Sequence, residues 1–91
     1  NQVATSLRAG DESLLAGCWA DLLIANILAA PLIALAPRLA EAVRPGGQIA
    51  LCGLLLEQAD SVTAAYRAWF DIGTAAVRDG WALLSGPRRP S

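Results

Sequence analysis

Ala20-Asp21-Leu22-Leu23-Ile24-Ala25-Asn26-Ile27-Leu28-Ala29-Ala30-Pro31-Leu32 carries an apolar run into a polar Asn and then into a proline-started helix. The apolar residues after Asp21 read as a buried parallel strand over Asp21 to Ala25. Pro31, with Leu32, Leu35 and Leu39 at helical spacing, predicts a helix from Pro31 to about Arg44, leaving Asn26 to Ala30 as a loop. Proline suits the first helical position, because its missing N–H would have had no partner there. Ligands of open α/β sheets bind outside the carboxyl ends of the strands, which makes Asn26 a candidate site residue. On spacing alone, a turn residue that caps the following helix is the plainer reading.

Working outward, Pro45-Gly46-Gly47 reads as a helix stop, and Gln48 to Leu55 is a second apolar run of strand length. No phosphate-binding pattern surrounds the two glycines. Pro37 inside the first helix removes a hydrogen bond to the Ile33 carbonyl. Glu57 to Phe70 places Ala59, Val62, Tyr66, Trp69 and Phe70 on one helical face, with Asp60, Thr63 and Arg67 toward water. Ile72 to Arg78 and Trp81 to Ser85 flank Asp79-Gly80, a two-residue hairpin signal. Thr5 to Ala9 reads as a short first strand before a turn at Gly10-Asp11, and the basic tail from Gly86 to Ser91 as frayed. Gly53, inside the second apolar run, marks a bulge or a close backbone approach. Trp19, Trp69 and Trp81 each abut an apolar run and read as core or sheet-covering anchors.

The composition excludes several function classes. Seven Lys and Arg against eight Asp and Glu leave a net charge of −1, which offers no electrostatic footprint for nucleic acid. With no histidine, no Ser-His-Asp or Cys-His nucleophile is available. No zinc spacing surrounds Cys18 or Cys52, so no metal is expected, and the two cysteines read as buried free thiols in a reducing, cytoplasmic setting. The apolar stretch Leu22 to Ala36 is shorter than the ~20 residues of a membrane span and carries Asn26 and Pro31.

The segment Asn26-Ile27-Leu28-Ala29 resembles the motif of the bacterial ribosomal protein L11 methyltransferases, and the order of elements after it follows that family to the last strand. The resemblance implies a partial Rossmann-like α/β sheet, parallel strands closed by a carboxyl-terminal antiparallel hairpin whose last strand inserts between its neighbours. It implies S-adenosylmethionine as methyl donor and amino groups of a ribosomal protein as acceptors. Asn26 would then contact the cofactor and place the target amine, beside Ile27 and Leu28, with Asp11 as the acidic residue toward the adenine. It also implies that residues 1–91 form the carboxyl-terminal part of one domain whose glycine-rich cofactor loop lies outside them. The strand at Asp21 to Ala25 would then present an unpaired edge, inviting self-association or repacking of Thr5 to Ala9 against it. Two alternatives stand beside this reading: a non-catalytic α/β module for protein association, and a methyltransferase acting on another amine. On the family reading, the 91 residues alone bind S-adenosylmethionine very weakly, since backbone N–H groups of the glycine-rich loop hold the ligand in such folds. Isothermal titration checks this, and a micromolar dissociation constant would contradict it.

Overall fold

The computed structural model describes residues 4–8 and 19–90. Along the chain, β1 (Ala4–Arg8) and β2 (Ala20–Asn26) are followed by α1 (Ala29–Ala42) and β3 (Val43–Leu55). A 3₁₀ turn at Leu56–Gln58 leads into α2 (Ala59–Tyr66), and β4 (Gly73–Arg78) and β5 (Trp81–Pro87) complete the fold. The five strands form one sheet in the order β1-β2-β3-β5-β4. β1, β2 and β3 are parallel, whereas β5 runs antiparallel to both β3 and β4. The last strand therefore inserts between β3 and β4, as the family resemblance implies. Asp79 and Gly80 both adopt positive φ, 53° and 80°, the geometry that a type I′ hairpin turn requires.

Alternation along the strands divides the sheet into two unlike faces. Leu23 and Ala25 of β2, Ile49 and Leu51 of β3, and Ala82 and Leu84 of β5 are buried on one face in a single cluster with the helices. Leu32, Ala36, Leu39 and Ala40 of α1 and Val62 and Tyr66 of α2 cover them. On the opposite face Leu22, Ile24, Ala50, Leu83 and Ser85 are only half-buried. Full burial of an aliphatic side chain contributes about 1.5–3 kcal/mol, so the covered face holds most of the driving force.

Several boundaries differ from the sequence-based expectation. The helix begins at Ala29 rather than Pro31, placing proline at the third helical position. That position is tolerated because the first helical N–H groups have no intrahelical partner in any case; Leu32 N–H is the one that reaches back to the Leu28 carbonyl, at 3.1 Å. Asn26 is the last residue of β2 rather than the first of a loop, and the first strand spans Ala4–Arg8, with Ala9 outside the described residues. Helix α1 ends at Ala42, before Pro45-Gly46-Gly47, and β3 starts at Val43. Because Ala20 pairs with Val43 and Leu22 with Gln48, Arg44 to Gly47 bulge out opposite Asp21. The Arg44 guanidinium pairs with the Asp21 carboxylate at this bulge.

The second helix is shorter than expected at both ends, since Glu57 lies in the 3₁₀ turn and α2 stops at Tyr66. Ala59, Val62 and Tyr66 form its buried face as read, while Trp69, packed against the core, and Phe70, buried, follow it at the end of a turn. Trp19 and Trp81, expected as anchors, are instead 62% and 49% exposed. Trp19 precedes β2 and Trp81 opens β5, so both rings sit at strand ends where no helix covers them. The basic tail is not frayed through Arg89. Arg88 N–H donates to the Gly47 carbonyl at 2.7 Å, its Nε donates to the Ala40 carbonyl at 3.0 Å, and Arg89 N–H donates to the Trp69 carbonyl at 2.8 Å. β1 pairs in parallel with β2, so the expected repacking of the amino-terminal segment against that edge is what the fold contains.

Tyr66 ties the two helices together, its hydroxyl donating to the Leu32 carbonyl at 2.6 Å in the core. Tyr66→Phe should lower unfolding free energy by about 1 kcal/mol in urea denaturation. Burial pushes the phenol pKa well above its ordinary value. The unfolded chain therefore releases this proton near pH 10 while the folded chain retains it, and stability present below pH ~10 declines as pH rises further. As Tyr66 is the chain's one tyrosine, tyrosinate absorbance should appear together with loss of circular dichroism; ionisation before unfolding would contradict the burial argument.

Candidate functional site at the carboxyl ends of the parallel strands

The register of the three parallel strands sets Arg8, Asn26 and Cys52 in one row across the sheet, Arg8 opposite Asn26 and Asn26 opposite Cys52. Asn26 is exposed at the end of β2, and Cys52 is a half-buried free thiol. The expectation of a free thiol holds for Cys52, though its burial is partial; Cys18 lies outside the described residues. Arg8 was not singled out in the sequence, since only strand pairing brings it beside Asn26.

After Asn26 the chain turns by two residues into α1, and these two are used in opposite ways. Ile27 is 4% exposed and seals the core, whereas Leu28 is 68% exposed. Of the residues read as extending the site, Ile27 therefore offers its backbone carbonyl, and Leu28 an apolar side chain to solvent. Asp11 lies outside the described residues.

Gly53 of β3 lies against this turn. It has φ of +81°, and the β3–β5 register shifts between Leu51 and Leu54 around it. A Cβ built on Gly53 would stand 2.9 Å from the Asn26 side-chain oxygen and 3.0 Å from the Ile27 carbonyl oxygen. The sequence reading of Gly53 as a bulge or a close backbone approach is thus met on both counts. Two neutral acceptor oxygens lie close to one point beside the Gly53 backbone at the end of β2. Among the described residues, no group hydrogen-bonds the Asn26 amide, and no cluster of His, Cys, Asp or Glu suits a metal ion.

A parallel sheet closed by an inserted antiparallel strand, with a polar residue at the carboxyl end of a central strand, is the architecture of Rossmann-like methyltransferases. Comparison with solved structures agrees on the fold. A ribosomal protein L11 methylase from Lactobacillus delbrueckii subsp. bulgaricus superposes with a TM-score of 0.74 at 16% identity, over 98% of this chain and 71% of that one. A T. thermophilus 16S rRNA methyltransferase in complex with AdoMet and guanosine gives 0.59 at 15% identity, over 77% of this chain and 20% of that one.

The family model for ribosomal protein L11 methyltransferase matches residues 1–89, and the chain belongs to that family. The ribosomal protein L11 methyltransferase of Pseudomonas putida is 59% identical over 70 residues, 77% of this chain. The chain spans about a quarter of that relative's length, 24%. No helix among the described residues is long and apolar enough to cross a membrane.

Proposed function

We propose that residues 1–91 are the carboxyl-terminal part of the catalytic domain of an S-adenosylmethionine-dependent, cytoplasmic methyltransferase acting on amino groups of a ribosomal protein. Family membership supports the reaction class, and the fold shared with a methyltransferase complexed with AdoMet supports the donor. The observation that carries the assignment to residues is that the Asn26 amide oxygen and the Ile27 carbonyl oxygen converge at the end of β2, within 2.9 and 3.0 Å of one point beside the Gly53 backbone.

The cofactor supplies an electrophilic methyl group on a sulfonium. The acceptor amine must be neutral, because its lone pair forms the new N–C bond while the S–C bond breaks and its electrons pass to sulfur. In this chain the two oxygens accept from the amine N–H groups and hold the lone pair in line with the methyl carbon, the positional effect that accounts for much of such a rate. An uncharged amide is suited to that task, since a carboxylate at the same place would raise the amine pKa and favour the unreactive ammonium. Leu28, exposed beside them, offers apolar contact to the aliphatic part of the acceptor.

In the full-length enzyme carrying this chain, Asn26→Ala should reduce turnover about 100-fold with little change in melting temperature, because an exposed strand-end Asn contributes little packing. Full methyl transfer by a folded Asn26→Ala enzyme would remove Asn26 from the mechanism. Asn26→Asp should slow transfer at neutral pH and regain part of it as pH rises and the amine loses its proton. A loss that does not vary with pH would show that amine protonation is not the cause.

A further inference from the structure

Gly53 lies outside the Asn26-Ile27-Leu28 segment, on the neighbouring strand, and nothing in the chemistry of methyl transfer requires a glycine there. Two independent observations constrain it. Its φ of +81° lies in the left-handed region, which Asn and Asp tolerate better than other non-glycine residues. The space its side chain would fill is also occupied: a Cβ would come within 2.9 Å of the Asn26 Oδ1 and 3.0 Å of the Ile27 carbonyl oxygen. By contrast, Gly80 has φ of +80° with nothing within 4 Å of a built Cβ, so positive φ and close approach are separable requirements in this fold. The two atoms crowding Gly53 are the two acceptors assigned to the amine.

We propose that Gly53 is a positioning residue: its missing side chain leaves the room in which Asn26 Oδ1 and the Ile27 carbonyl stand side by side at the end of β2. The inference rests on the role given above to Asn26. Any Cβ at residue 53 must push aside the Asn26 amide, the far end of a rotatable side chain, or the Ile27 backbone. Ile27 is anchored in the core, so the amide is the group that yields. The bulge in β3 belongs to the same device, because it turns the backbone to positive φ where β3 passes the turn after β2.

The test separates strain from positioning with Gly53→Asn, which accepts positive φ yet carries a Cβ. In the full-length enzyme, Gly53→Asn should melt within about 2 °C of the parent while kcat falls about tenfold and affinity for S-adenosylmethionine, measured by equilibrium dialysis, is unchanged. In an Asn26→Ala background it should lower kcat no further, because the group it displaces is already gone. Parental kcat in Gly53→Asn, or the same tenfold loss in both backgrounds, would overturn the proposal. If Gly53→Asn or Gly53→Ala prevents folding, Asn26→Ala should restore it by vacating the space; failure to do so would show that the Asn26 amide is not the group Gly53 makes room for and overturn the proposal. Should Asn26→Ala itself keep full turnover, the catalytic reading of Asn26 fails. Gly53 positioning is then judged by whether its substitution shifts the melting temperature less in the Asn26→Ala background.

Discussion

Burial of the β2–β3 pair under α1 is the constraint from which the site follows. Leu23, Ala25, Ile49 and Leu51 have 0% exposure, and each can be inside only if the strands keep their register. A slip of either strand by one residue would turn its two core residues to the open face, and replacing even one such leucine by alanine costs about 2–5 kcal/mol. The same register fixes Asn26 opposite Cys52 and brings Gly53 against the turn that follows. Apolar contacts in the middle of the sheet thereby set the polar geometry at its end.

The two helices and the end of the chain hold that pair in place through a few polar contacts in an otherwise apolar core. Tyr66 OH donates to the Leu32 carbonyl, joining α2 to α1, and its ring lies 6.0 Å from that of Phe70. The Arg88 guanidinium stands 6.0 Å over the Phe70 ring while Nε reaches the Ala40 carbonyl near the end of α1. Gly46 N–H donates to the Arg88 carbonyl, so the bulge at the start of β3 is fastened to the end of β5. The Arg88 and Gly46 contacts link segments distant in sequence and brace the amino-terminal end of the parallel strands, whereas the Tyr66–Leu32 bond holds α2 to the first turn of α1, nearer Asn26.

What was legible in the sequence follows the range of the interaction that decides each feature. The β2-α1-β3 order, the inner face of α2 and the Asp79-Gly80 turn depend on local periodicity and on residues that tolerate positive φ, and all are present. Apolar adjacency told less about Trp19 and Trp81, because a ring at a strand end is beside the core without being covered by it. The basic tail reads as polar and proline-rich, and nothing local reveals that Gly47, Ala40 and Trp69 supply its partners. Asn26 was legible as the polar end of an apolar strand; the link between Gly53 and Asn26 was not, since only pairing of β2 with β3 makes them neighbours.

Ile27 shows how the fold reconciles a precise polar arrangement with a short connection. Only Ile27 and Leu28 separate β2 from α1, and a loop this brief has little freedom with which to relax around a ligand. Its side chain is driven into the core by the same burial that fixes Leu23 and Ala25, so the orientation of its carbonyl is determined by packing and not by what binds there. Asn26, one residue earlier, has an exposed side chain on a backbone fixed by the ladder with β3. The pair therefore combines one acceptor held by the main chain with one that can rotate, and Gly53 on β3 approaches both closely. A glycine there imposes the least steric demand, while the bulge that gives it positive φ supplies the curvature that brings it close. Precision at the end of the sheet is thus obtained by anchoring one acceptor through hydrophobic burial and leaving just enough space for the other.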